Sequence, residues 1–275
     1  MKTIEAIVLG AVQGLTEFLP ISSTAHLRVV PSLLGWQDPG TAFSAVIQLG
    51  STLAVITYFA QDLFSLAKGS FIALKTGDYM NHDLRLVIAM ILGTLPICVL
   101  GLLFRHLLEQ DNSPIRSLSV IGWAAIIMGL LLFFADRHDK QSRSLAMTGA
   151  LDGLLVGLAQ ALALIPGCSR SGSTLTAALL LNLRRPDAAK FSFLLGIPAV
   201  GLSGLLELKK MLDEGLSNSG ASALIIGFIV SAVVSYAAIL LFFKFLQHHS
   251  LKVFVVYRLL FGVLVLVLSR FSIIK

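Results

Sequence analysis

Two apolar stretches of this 275-residue chain are each broken near the middle by proline and a cluster of hydroxyl side chains, and nothing else constrains the fold as much. They are residues 3–34, interrupted at "FLPISSTAH", and residues 146–183, interrupted at "LIPGCSRSGST". Each half runs to about 12–17 residues, roughly 18–25 Å of helix, which is short for a hydrocarbon layer about 30 Å thick. Backbone outside a helix survives at that depth only where protein or a water-filled cavity surrounds it. Both stretches therefore read as re-entrant helix–loop–helix pairs whose polar tips meet inside the protein.

Six further segments have the length of a membrane span: 42–60, 84–104, 118–135, 190–208, 221–246 and 253–272. Charged residues make up 13% of the chain and hydrophobic ones 56%; a soluble domain carries about 25% charge. Mean hydropathy is +0.87. The expected fold is an all-α polytopic membrane protein, one integral domain over 1–275, with about six transmembrane helices plus the two re-entrant pairs. The net charge of +6 is scattered among loops. It suits positive-inside loops and anionic membrane lipids, not nucleic acid. Cys98 and Cys168 form no disulfide framework and no metal spacing. Glu5, Gln13 and Glu17 interrupt the N-terminal apolar run, which reads as mature structure and not as a signal peptide.

The two broken stretches resemble each other. "GAVQGLTEFLPISST" lines up with "GLAQALALIPGCSRS", placing Gln13 on Gln160, Pro20 on Pro166 and, with one gap, Ser23 on Ser169. Further on, Phe43–Ser44 falls on Phe191–Ser192. The chain is read as an internal duplication, about 1–135 and 146–275. An odd number of intervening spans turns the second copy over, giving an inverted repeat. With the re-entrant pairs not crossing, one face holds Lys68, Lys75, Arg85, Arg137, Lys140, Arg143, Arg184, Arg185, Lys190, Lys244 and Lys252. The other holds Lys2, Arg28, Arg105, Arg116, Lys209, Lys210, Arg270 and Lys275. The excess places the first face in the cytoplasm and both termini outside.

Polar side chains in such a setting point to chemistry. Gln13 and Glu17, four apart, share a helix face. A buried carboxylate is costly unless paired or metal-bound, and the two oxygen-bearing groups suit a hard divalent cation, Mg²⁺ or Ca²⁺. A structural hydrogen bond between helices is the plainer alternative. Beyond Pro20 come Ser22, Ser23, Thr24 and His26. A serine here can be a simple N-cap, but a histidine one turn on offers a hydroxyl nucleophile its proton acceptor. The second tip carries Ser169, Arg170, Ser171, Ser173 and Thr174 beside Gly167 and Gly172. A helix N-terminus with a guanidinium fork binds phosphate; Arg170 could alternatively be the counter-ion of Glu17, which would also bring the tips together. Arg258 either snorkels toward the interface or joins the phosphate-binding set. Gln48 and Ser51 either line the same cavity or hydrogen-bond between helices. Cation, nucleophile, base and arginine clamp together are the parts of phosphoryl transfer.

At these residues the chain resembles the undecaprenyl pyrophosphate phosphatase family, the bacitracin-resistance proteins of the bacterial plasma membrane. The likeness rests on "QGLTE", "SSTAH", "PGCSRSGST" and the "YR" at Tyr257–Arg258, and it covers the whole chain. It departs at Gln13, where many members carry Glu, and at Ala25, where Gly is common. The resemblance implies removal of the terminal phosphate of a C55 lipid pyrophosphate, on the outer side of the inner membrane, with a divalent cation. It implies Ser23, His26 and Glu17 as catalytic, with Ser22, Thr24, Ser169, Arg170, Ser171, Thr174 and Arg258 on the phosphates and Glu17 with Gln13 on the metal. A lipid flippase or transporter on the same inverted-repeat fold is the competing reading. The expected partners are the lipid substrate and membrane lipids, with a homodimer left open.

Overall fold

The computed structural model describes residues 1–104, 106, 113–138, 140–215 and 218–271. Arg105 and Lys275 of the charge comparison, and the ends of the 253–272 span and of the 1–275 domain, lie outside the described residues. The described residues fold into α-helices: α1 (Thr3–Thr16), α2 (Ser23–Leu34), α3 (Gly40–Tyr58), α4 (Ala60–Thr76), α5 (His82–Leu103), α6 (Leu118–His138), α7 (Ala150–Ala161), α8 (Arg170–Leu180), α9 (Arg185–Glu214), α10 (Asn218–Leu246) and α11 (Lys252–Arg270). Extended pairing is confined, among these residues, to one bridge between Arg143 and Leu183.

Five of them, α5, α6, α9, α10 and α11, are long and apolar enough to cross a membrane, and α3 with α4 forms a sixth candidate bent by 70°. The expected spans fall on these six. The 42–60 span, however, does not end in a loop: at Phe59 (φ −99°, ψ 21°) the chain turns sharply and continues as α4. Local signals explain the other ends. The Asn81 side chain accepts a hydrogen bond from the Asp83 N–H at 2.9 Å and starts α5. Gly77, in the left-handed conformation at φ 75°, stops α4.

Close helix pairing follows from small residues. α1 lies along α10 and α7 along α5, α6 packs on α11, and α3 sits against both α9 and α10. A Cβ on Gly10 would stand 2.6 Å from the carbonyl oxygen of Gly227, and one on Gly157 would run into the carbonyl of Gly93. Glycine lets these backbones touch, the way helices pack where hydrocarbon gives no hydrophobic drive. Large apolar side chains such as Phe64, Val99, Val233 and Leu260 face outward, as lipid contact requires. Inside, Phe18 from the first break packs on Phe193 of α9 with ring centroids 4.8 Å apart. Leu175, Ala178 and Leu179 hold α8 in the same core. That core positions both breaks at the centre of the bundle.

Candidate active site

Each break has the same backbone device. Helix α1 ends at Thr16, Glu17 caps it, and the chain turns through Pro20 to Ser22 at φ 75° before α2 begins at Ser23. Helix α7 gives way to a short 3₁₀ turn, Leu162–Leu164, then Pro166, Gly167 at φ 98° and Ser169 at φ 68°, before α8 begins at Arg170. A non-glycine residue at positive φ is held there by its surroundings. The two strained serines each stand directly before a helix. In this feature Ser22 matches Ser169, whereas the sequence alignment, with one gap, set Ser23 on Ser169.

The two turns touch. Ser171 Oγ lies 3.0 Å from the carbonyl of Glu17 and 3.1 Å from that of Leu19. Arg170 Nη2 donates to Glu17 Oε1 at 3.2 Å, and its Nη1 donates to the carbonyl of Ser192 at 3.2 Å. The other Glu17 oxygen accepts from Ser23 Oγ at 2.7 Å and from Gln13 Nε2 at 2.8 Å. Glu17 is 6% exposed and Ser23 8%, so hydroxyl, carboxylate and guanidinium form one buried unit. Glu17 and Arg170 face a cavity of about 10 Å³, lined also by Ser51, Thr52, Phe193 and Gly196, with room for about one water molecule.

Several expected site residues are placed differently. His26 does not pair with Ser23: Nδ1 lies 2.7 Å from the carbonyl oxygen of Ser22, and Nε2 lies 2.6 Å from the hydroxyl of Tyr257. Arg258, 1% exposed, neither snorkels nor opens onto the cavity. Its guanidinium donates to the carbonyls of Pro20 at 3.0 Å, Gly167 at 2.8 Å and Ala125 at 3.1 Å, stapling both turns to α6. Ser169 Oγ caps α8 by accepting from the Gly172 N–H at 3.1 Å. Thr174 Oγ1 binds Ser192 Oγ at 2.6 Å, fastening α8 to α9. Thr24 is exposed.

Four buried polar atoms here have no protein partner: Gln13 Oε1, Ser22 Oγ, Arg170 Nε and Ser173 Oγ. Such atoms are costly to bury unless a ligand or water meets them. Among the described residues no three His, Cys, Asp or Glu side chains gather as a metal site. The orphaned Gln13 oxygen beside the Glu17 carboxylate still fits a hard cation that takes its other ligands from phosphate. Sequence reasoning left Ser51 between two roles, and it has both, lining the cavity and accepting from Gln13 Nε2 at 3.3 Å. It missed Ser231 and Ser235, whose hydroxyls lie 3.0 and 2.8 Å from Ser51 Oγ. The signal was their four-residue spacing in an otherwise apolar span.

A family model described as bacitracin resistance protein BacA matches residues 6–264. The chain belongs to the BacA family. Among its relatives, the undecaprenyl-diphosphatase of Gloeobacter violaceus is 57% identical over 262 residues, covering 95% of this chain and 90% of that protein. The undecaprenyl-diphosphatase of Trichormus variabilis is 54% identical over 267 residues, covering 97% and 83%. That of Synechocystis is 55% identical over 263 residues, covering 95% and 81%. The BacA-family match spans both breaks and every site residue named above.

Proposed function

We propose that this chain hydrolyses undecaprenyl diphosphate to the monophosphate and inorganic phosphate, recycling a carrier lipid of envelope synthesis and so conferring bacitracin resistance. The names of its relatives supply the substrate. The observation that carries the chemistry is the buried Ser23–Glu17–Arg170 unit, a hydroxyl held by a carboxylate beside a guanidinium fork.

The steps follow from these contacts. An incoming phosphate replaces Glu17 at Arg170, whose unpartnered Nε and two terminal nitrogens are donors of matching geometry. Ser22 Oγ stands ready as a further donor. Ser23 Oγ attacks the terminal phosphorus. The new O–P bond forms as the bridging P–O bond breaks, and the lipid monophosphate leaves. Because Ser23 faces Glu17 Oε2 at 2.7 Å, its proton passes to Glu17 and not to His26 as the spacing had implied. Water then attacks the phosphoserine and gives a proton to His26. The O–P bond to Ser23 breaks as Ser23 recovers its own proton from Glu17, and phosphate departs with the proton that His26 took from water. Mg²⁺ or Ca²⁺, held by Gln13 Oε1, Glu17 and phosphate oxygens, would supply neutralisation of the substrate's charge. Arg258 acts as the staple of the two turns.

The topology is read as two re-entrant pairs in an inverted repeat. Arg143 supports the second pair: its guanidinium reaches Asp152 in the first turn of α7 at 2.8 Å and the carbonyl of Leu181, just past α8, at 3.1 Å. The pair thus starts and ends at one place. The matched contacts of α1 with α10 and of α7 with α5 support the repeat. The protein belongs, on this reading, to the bacterial inner membrane with its site open to the outer side. Purified protein in detergent, given undecaprenyl diphosphate, is expected to release phosphate, and Ser23→Ala to release almost none. Wild-type protein that binds the lipid and releases no phosphate would favour a flippase.

A further inference from the structure

His26 is held by three contacts, and none is to Ser23. The Ser22 carbonyl, 2.7 Å from Nδ1, can only accept a hydrogen bond, so in the neutral ring Nδ1 carries the proton and the lone pair lies on Nε2. That lone pair points at the Tyr257 hydroxyl, 2.6 Å away. Phe261 stacks on the imidazole with centroids 4.3 Å apart and planes at 17°. Tyr257 and Phe261 are one turn apart on α11, so a single helix face sets both the tilt of the ring and the direction of its lone pair. The same helix is locked to the two broken turns by the neighbouring Arg258. Tyr257 itself is 41% exposed whereas His26 is 6% exposed.

We infer that Tyr257 is a positioning residue for His26: its hydroxyl, with Phe261 and the Ser22 carbonyl, aims Nε2 as the single proton-accepting atom of the ring. Water that displaces the hydroxyl from Nε2 meets a ring already turned to receive its proton, and a ring free to rotate is so turned in only a fraction of its orientations. The inference rests on the reading of His26 as the base of the second half-reaction.

The test uses full-length protein in detergent, labelled with ¹⁵N-histidine. Tyr257→Phe keeps the ring and removes only the hydroxyl. The His26 Nε2 resonance is expected to move toward that of a free imidazole nitrogen while Nδ1 stays protonated. Turnover of undecaprenyl diphosphate is expected to fall by about 10- to 100-fold with KM unchanged, the usual cost of losing an orienting partner. The remaining histidine resonances report whether the fold persists. If Tyr257→Phe does not fold, a fluorotyrosine in place of Tyr257 keeps the packing and alters the donor, and both resonance and turnover are expected to shift. An unmoved Nε2 resonance, or wild-type turnover in Tyr257→Phe while His26→Ala is inactive, overturns the inference and leaves the role of His26 standing. Full activity in His26→Ala overturns the role of His26, and the inference with it.

Discussion

Glu17 accepts hydrogen bonds from three side chains, Gln13, Ser23 and Arg170, which come from two breaks far apart in the chain. Glu17→Gln keeps the size and replaces one acceptor with a donor, so turnover is expected to collapse while the protein still folds. Arg170→Lys is expected to lose about 10²-fold or more in turnover, because an ammonium cannot reproduce the fork. A quieter change makes a sharper test: the Arg170 guanidinium lies where a Cβ on Gly196 would be built. Since the obstructing group is the end of a flexible side chain, Gly196→Ala is expected to leave thermal stability nearly unchanged. It is expected to lower turnover by about 10²-fold through displacing the fork; equal loss of stability and activity would contradict this. The shared face of Gln13 and Glu17 was legible from their four-residue spacing. The pairing of Ser23 with His26 was not, since helical spacing puts two side chains on one face without saying which partner captures each. Tyr257, 231 residues away, captures the imidazole.

At the scale of elements, proline and serine clusters in apolar runs marked both breaks, and the structure has a turn at each. Serine identity guided the alignment of Ser23 with Ser169, while the positive-φ backbone ahead of each helix is shared by Ser22 and Ser169. The continuation of α3 into α4 went unread: no proline or glycine marks Phe59, where the chain bends by 70°. Arg143 ties the ends of the α7–α8 pair through two 2.8 Å contacts to Asp152 and one to the Leu181 carbonyl. Arg143→Ala is therefore expected to destabilise the protein by about 1–3 kcal/mol, as for lost hydrogen bonds to a partly buried charge. Thermal unfolding in detergent checks this; an unchanged midpoint would mean the loop is held some other way.

For the whole molecule, composition alone gave the class, and the number of apolar spans agrees with five or six crossing helices. The meeting of the two tips is a property of the assembled bundle, carried by Ser171 against Glu17 and Leu19 and by Arg258 against both turns. With Cys98 and Cys168 removed, cysteines at Leu19 and Ser171 are expected to cross-link within one chain. Only cross-links between chains, or none with a short linker, would contradict the meeting of the tips. A divalent cation bridged by phosphate predicts that chelation abolishes turnover and that Mg²⁺ or Ca²⁺ restores it. Full activity in chelator would remove the ion from the reaction.

The central claim is that Ser23, held by Glu17, attacks the terminal phosphorus. It is tested most directly by a single turnover of undecaprenyl diphosphate labelled in its terminal phosphate, with His26→Ala protein used to slow release. After quenching and digestion, label on the peptide carrying Ser23 is the predicted result. An unlabelled peptide together with an active Ser23→Ala protein would contradict the account and assign the attack to water.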